Sequence, residues 1–194
     1  MNCFWKTFLT AAATLVFGVV SATAQPSTNR PANWAQPFAL AGVKNCYQVT
    51  TDLYRGAQPT AKGCKNLKAM GVKTVINLRA WHSDKNKVAG TGLKGVRFEM
   101  EPWRGDTDEV VEFLKVVTDT NNLPAFIHCA RGADRTGMMC AMYRIAVCGW
   151  TKGQAIDEMK NGGFGFNPAW HELITFIEKA DIADIKRRAG LSGN

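Results

Sequence analysis

The apolar positions fall in two alternating rhythms. Val72 to Leu78 is rich in β-branched and apolar residues, the pattern of a buried strand, and Pro124 to His128 is a second, shorter run. Tyr47 to Tyr54 suggests a short strand pair, and Val96 to Met100 a further strand before a turn at Pro102 to Gly105. Between these lie segments with helical spacing. Thr60 to Met70 stops at Gly71, a natural C-cap, and Asp106 begins a helix whose apolar side is Val110, Val111, Phe113, Leu114 and Val117. A third helix runs from about Thr136 to Cys148 and closes at Gly149. Thr151 with Gln154 makes a capping box for a fourth, and Asn167 followed by Pro168 starts one that reaches about Ala180. Arg79 to Gly95 loses all periodicity and reads as surface loop. Such alternation predicts a single α/β domain, a short and mostly parallel sheet flanked by helices.

Two segments precede this pattern. Residues 1–24 carry one Lys (Lys6), no acid, an apolar run from Phe8 to Val20 and then Ala22-Thr23-Ala24, the layout of a signal peptide with its cleavage site. The run is too short for a spanning helix, so no stable membrane span is expected once it is removed. Residues 25–44 hold Pro26, Pro31 and Pro37 among small polar residues and read as an extended arm before a domain at 45–188. Export, most simply to a periplasm, would place the cysteines where disulfides persist. Cys46 and Cys64 could pair or sit as core thiols, whereas Cys140 and Cys148 share a helix and read as packing residues.

Composition narrows the partners. The chain has 194 residues, 46% hydrophobic and 21% charged, so disorder and coiled coil are excluded. Lys and Arg number 24 against 16 Asp and Glu, a formal charge of +8, which suits acidic partners. No motif supports nucleic acid. With no CxxC and with His82, His128 and His171 far apart, no metal site is expected and no cofactor is called for.

The chemistry is concentrated in His128-Cys129-Ala130-Arg131-Gly132-Ala133-Asp134-Arg135-Thr136-Gly137, between a strand and a helix start. A loop in that position aims backbone N–H groups at one point, and the helix dipole adds positive potential there. The same field favours a thiolate at Cys129, hence a nucleophile at neutral pH. Arg135 can curl back to offer a planar, bidentate fork to phosphate oxygens. Nucleophile and anion clamp thus share one loop.

The segment HCARGADRTG resembles the signature loop of the cysteine-dependent protein tyrosine and dual-specificity phosphatases. Asp52 to Pro59, Lys73 to Arg79, and Tyr143-Arg144-Ile145 with Gly149-Trp150 extend the likeness to the compact bacterial dual-specificity-like members, several of them exported. The resemblance covers roughly Tyr47 to Ile177. It implies a phosphocysteine mechanism without metal, acting on phosphotyrosine with phosphoserine or phosphothreonine possible, or on inositol phosphates or phosphoinositides. A catalytically dead phosphate-binding module is the remaining alternative. Carried over by position, Cys129 attacks phosphorus, the amides of Ala130, Arg131, Gly132, Ala133, Asp134 and Arg135 hold its oxygens with the Arg135 side chain, Thr136 serves the departing sulfur, and His128 orders the loop from behind. Substrates would be phosphorylated proteins or small phosphate esters.

The family supplies a general acid from an upstream loop. Asp106 and Asp108 are the candidates, with Glu99 and Glu101 also in range, although they lie closer to the nucleophile than the commoner spacing. Asp106-Thr107-Asp108-Glu109 also fits a capping box, and a capping carboxylate is held ionised, which makes it a poor acid. Asp134 is expected to turn away from substrate and brace the loop. Arg131 faces either solvent or the substrate rim. Asn161 to Asn167 either links two helices or walls the pocket, and Trp81, His82 and Trp103 either rim the cleft or pack.

Overall fold

The computed structural model describes residues 30–191 of the chain, so the expected signal peptide lies outside the described residues. Six strands form one sheet: β1 (Gln36–Pro37), β2 (Tyr47–Gln48), β3 (Leu53–Gly56), β4 (Thr74–Asn77), β5 (Lys94–Arg97) and β6 (Ala125–His128), in the order β1-β2-β3-β6-β4-β5. The four from β3 to β5 are parallel, whereas β1 and β2 extend the β3 edge antiparallel.

Helices α1 (Ala61–Ala69), α2 (Lys85–Val88), α3 (Thr107–Thr118), α4 (Asp134–Ala146), α5 (Lys152–Asn161), α6 (His171–Lys179) and α7 (Ile182–Arg188) complete the fold. Successive strand residues point to opposite faces. Leu53, Ile76, Ala125 and Ile127 enter the larger core with α3 to α7, whereas Val75 and Phe126 join Cys64, Leu67 and Val72 in a smaller one. Both faces of β4 and β6 are buried, as parallel strands require, which is why their runs are apolar rather than alternating.

The expected boundaries hold where a local signal set them. Thr60, Asp106 and Thr151 each cap a helix, and the Thr151–Gln154 capping box is formed in both directions. They fail where tertiary pairing decides. The strand sought at Val96 to Met100 lies two residues earlier, in register with β4. The helix expected from Asn167 is a 3-10 turn at Pro168–Trp170 followed by α6, and α7 is additional.

The described part of the arm, residues 30–44, is built into the domain. Gln36 and Pro37 pair with β2, and Ala35 is fully buried, its N–H donating to the Glu158 carboxylate. Glu158 also takes a bidentate pair of bonds from Arg144, 3.0 Å each, with both side chains buried. Arg144 lies 4.3 Å over the Trp150 ring. The Arg144 and Trp150 segments singled out in the sequence therefore meet in one buried ion pair that ties α4, α5 and the chain's first edge together.

Candidate active site

In register, Gly56 of β3 and Asn77 of β4 stand either side of His128 of β6, so three strands end together at their carboxyl ends. The residues that follow each strand consequently run abreast: Ala57-Gln58, Leu78-Arg79 and Cys129-Ala130. Leu78 N–H donates to His128 O at 2.9 Å, and Gln58 N–H to Ala130 O at 3.3 Å. The carboxyl edge of a parallel sheet is where open α/β folds place ligands.

Cys129 sits at the floor of this edge, 3% exposed. Burial is the strongest single influence on its thiol and opposes ionisation. The Thr136 hydroxyl and amide, the Arg135 charge and the Gly132 amide together outweigh burial and bring the thiol below its ordinary value. The Thr136 hydroxyl is buried without another partner among the described residues, which leaves it to the sulfur. Helix α4 begins at Asp134, two residues before the expected start, so its first amides face the loop centre.

Gly132 has a φ of +74°, and a Cβ there would lie 2.3 Å from the carbonyl of Gly56. Only glycine lets the loop lie this close on β3. Behind it, Arg55 is fully buried, donates Nη2 to Gly132 O at 2.9 Å, and rests 3.6 Å over the Phe164 ring. Asp134 turns away from the loop centre and accepts from Asn167 N at 2.8 Å and Arg131 Nη2 at 3.1 Å. Arg131 is thus spent on Asp134, and its own carbonyl accepts from Asn45 Nδ2 at 2.9 Å. The Gly-rich stretch Asn161 to Asn167 is both a helix connection and, through Phe164 and Asn167, a brace for the loop.

His128 is fully buried. Its Nδ1 lies 3.0 Å from Cys129 O and its Nε2 2.7 Å from Asp84 Oδ2. Both contacts are to oxygens that only accept. Asp84 belongs to Arg79 to Gly95, which the sequence presents as surface loop, yet it is 6% exposed. Burial would raise its carboxyl. The His128 contact and charge, with bonds from Gln58 and Lys87, reverse this and hold it well below the ordinary carboxylate range. Asp84 and Arg55 are the functional residues that sequence reasoning missed. An isolated acid in a polar stretch carries no local mark of its partner, whereas Arg55, inside an otherwise apolar strand, was the one available signal.

Arg135 donates to Met100 O at 3.0 Å and Leu78 O at 3.3 Å, which holds its guanidinium over the loop. Burial lowers its ordinary value most, the Cys129 thiolate works the other way, and the neighbouring Arg79 charge adds to the lowering. The upstream acids are placed differently. Asp106 caps α3 by accepting from Asp108 N and Glu109 N, at 2.8 and 3.3 Å, and Asp108 is 79% exposed and paired with Arg188 of α7. Glu99 pairs with Arg97 and Glu101 with Arg104. Glu109 makes no return bond to Asp106 among the described residues; burial and then the Asp106 charge push its carboxyl up. Trp103 is half exposed at one end of a groove of about 500 Å³ between this segment and α6, and Trp81 is 70% exposed. Cys46, Cys64 and Cys140 are free, buried thiols, and burial pushes Cys46 up to about 12.

A family model described as "DSP-PTPase phosphatase fused to NAD+ Kinase" matches residues 26–168. The dual specificity protein phosphatase TpbA of Pseudomonas aeruginosa is 33% identical, the match covering 94% of this chain and 84% of that protein. A crystal structure of a TpbA variant in complex with phosphotyrosine superposes with a TM-score of 0.73 at 29% identity, over 85% of this chain and 99% of that one. The Arabidopsis thaliana inositol diphosphatase DSP3 is 29% identical over 76% of this chain and 75% of its own. The catalytic domain of the Saccharomyces cerevisiae phosphatase SIW14 gives a TM-score of 0.69 at 25% identity, over 78% and 94%.

Proposed function

Because the chain belongs to the DSP-PTPase family and is a dual-specificity phosphatase, we propose that it hydrolyses phosphate monoesters, phosphotyrosine among them, through a phosphocysteine on Cys129. The observation that carries this reading is the geometry of one loop: Cys129 lies buried just after β6, α4 begins five residues on with its first amides toward the loop, and Arg135 and the Thr136 hydroxyl stand on that same helix start. The amides of Ala130 to Arg135 and the Arg135 fork hold the phosphoryl oxygens. The thiolate attacks phosphorus, the S–P bond forms and the ester P–O bond breaks. For an aryl or alkyl leaving oxygen the Asp106–Asp108 segment supplies the proton. Water then attacks the phosphocysteine, and Thr136 stabilises the sulfur as the S–P bond breaks.

Phosphotyrosine is the ligand in the TpbA complex, and inositol diphosphatase is the activity named for the plant relatives. A diphosphate is accordingly the second reading, supported here by the Arg79 charge that neighbours Arg135. Export through residues 1–24 belongs to the proposal on the sequence pattern alone, and a mature N-terminus at Gln25 is its test.

The central test is an assay of purified protein beside Cys129→Ser with chelator present, against phosphotyrosine, phosphoserine and phosphothreonine peptides. Hydrolysis by the wild type and none by the variant is the expected result. Equal rates in both, or binding of phosphate esters without turnover by either, would refute the reading.

A further inference from the structure

The positive charge of the chain is confined to one side of the fold. From the residue after β3 to the residue after β5, positions 57–98, there are nine Lys and Arg against one acid, Asp84, which is buried against His128. The rest of the chain holds 15 basic and 15 acidic side chains, so this segment accounts for the whole formal charge of +8. Its helices lie together. α1 and α2 pack on each other over the smaller core, where Cys64, Leu67 and Val88 meet, and Lys68 Nζ donates to Gly92 O at 2.9 Å, which ties the end of α1 to the turn before the edge strand β5. Helices α3 to α7 cover the opposite face of the sheet.

Lys62, Lys65 and Lys68 recur at three-residue spacing on the exposed side of α1, away from the buried Cys64 and Leu67, and Lys85 of α2 and Lys94 of β5 are exposed as well. Among the described residues none of these five lies within ion-pair distance of a carboxylate, whereas Lys87 reaches Asp84 and Arg97 reaches Glu99. Cations left unpaired on one face repel one another, and an anionic surface relieves all of them at once. Two further features select a bilayer among such surfaces. The unpaired cations are lysines, point charges on long apolar stems, which suit a diffuse layer of headgroups better than the bidentate contacts at which arginine excels. Met70 at the end of α1 and Trp81 past β4 are two of the three large apolar side chains exposed among the described residues. Tryptophan beside lysine is the composition of a membrane-water interface.

We propose that the face formed by α1, α2 and β5 docks on an anionic phospholipid bilayer, with Lys62, Lys65, Lys68, Lys85 and Lys94 over the headgroups and Trp81 seated among them. Trp81 follows β4 at the carboxyl edge of the sheet, where Cys129 follows β6, so docking holds the catalytic edge close to the bilayer surface. Each lysine near such a surface strengthens binding by about fivefold, and the effect fades with salt.

The test measures partition of the full chain onto vesicles of phosphatidylcholine alone or mixed with phosphatidylglycerol, read as the ratio of the two affinities so that any pull from the apolar run Phe8 to Val20 cancels. The wild type is expected to favour the anionic vesicles by about 100-fold or more. Lys62→Gln, Lys65→Gln and Lys68→Gln combined should lower the ratio by about tenfold or more. Lys115→Gln, Lys160→Gln and Lys179→Gln combined, the same loss of charge on the helices of the opposite face, should leave it within about threefold. Trp81→Ala should weaken binding to the anionic vesicles by about threefold or more. Thermal unfolding shows that each variant is folded, and single charge reversals at Lys62 and at Lys115 repeat the comparison should either triple variant not fold. Equal affinity of the wild type for both vesicles overturns the proposal, as do equal losses in the two triple variants. Tighter binding to heparin or to an acidic peptide than to anionic vesicles also overturns it, and assigns the face to a polyanion or a protein instead.

Discussion

The rear and the front of the active-site edge are built differently. Behind Cys129 every group is buried and held by more than one bond: Arg55 under Gly132, Asp84 against His128, Asp134 on Asn167. In front, the segment from Glu101 to Asp108 is partly exposed, joined by surface ion pairs to Arg104 and Arg188, and borders an open groove. Buried contacts resist displacement, whereas exposed pairs contribute little and rearrange readily. In the proposed reaction the phosphoryl end of a substrate meets a preset cradle, and its leaving group meets a surface that can adapt.

The largest effect that separates the two regions is expected from Gly132→Ala. A Cβ that close to the Gly56 carbonyl shifts the loop, and a displacement near 1 Å should lower kcat/KM by about 100-fold. A rate within threefold of wild type would show that the rear is not preset. Next comes Asp84→Asn, which removes the anion facing His128. The thiolate midpoint, followed by iodoacetamide alkylation against pH, should move upward, with about tenfold less thiolate on the acid side for each pH unit it moves. The same change tests linkage. The folded Asp84 carboxyl is depressed, so its contribution to stability is present above the unfolded value and fades as pH falls toward the folded one. The stability gap between wild type and Asp84→Asn should accordingly be wider at pH 6 than at pH 3.

The front should respond to the leaving group. Asp106→Asn keeps the helix cap, whereas Asp106→Ala weakens it by about 1 kcal/mol, which thermal unfolding reads directly. If this segment supplies the proton, the Asn variant of the donor slows aryl and alkyl phosphates progressively as the leaving group worsens and spares diphosphates. A uniform loss over all substrates would instead indicate a binding role. The smallest effect is expected from Asp108→Asn on stability, since its ion pair with Arg188 is solvent-exposed and the melting temperature should stay where it is.

The same contrast explains what the sequence could reveal. Cys129 to Thr136 is contiguous, so nucleophile, clamp and helix start were legible from spacing alone, as was the capping of α3 by Asp106. Asp84 and Arg55 reach the loop only when parallel pairing aligns the ends of β3, β6 and β4, and no local rhythm encodes that register. The segment around Asp84 looked like loop because it is polar, yet polarity is what a buried carboxylate partner of His128 requires. Residues 30–44 looked like an arm because Pro and small polar residues hide an edge strand, and α7 escaped notice because a seven-residue helix spans barely two turns.

Glu158 also dictates a sequence of events. The Ala35 amide and Arg144 share its carboxylate, and β3 finds its parallel neighbour only in β6. A chain released from its N-terminus, whether off a ribosome or through a narrow channel, cannot complete the Ala35 contact until Glu158 of α5 has emerged. The first strand is therefore sealed onto the domain after the catalytic loop of β6 and α4 has been made.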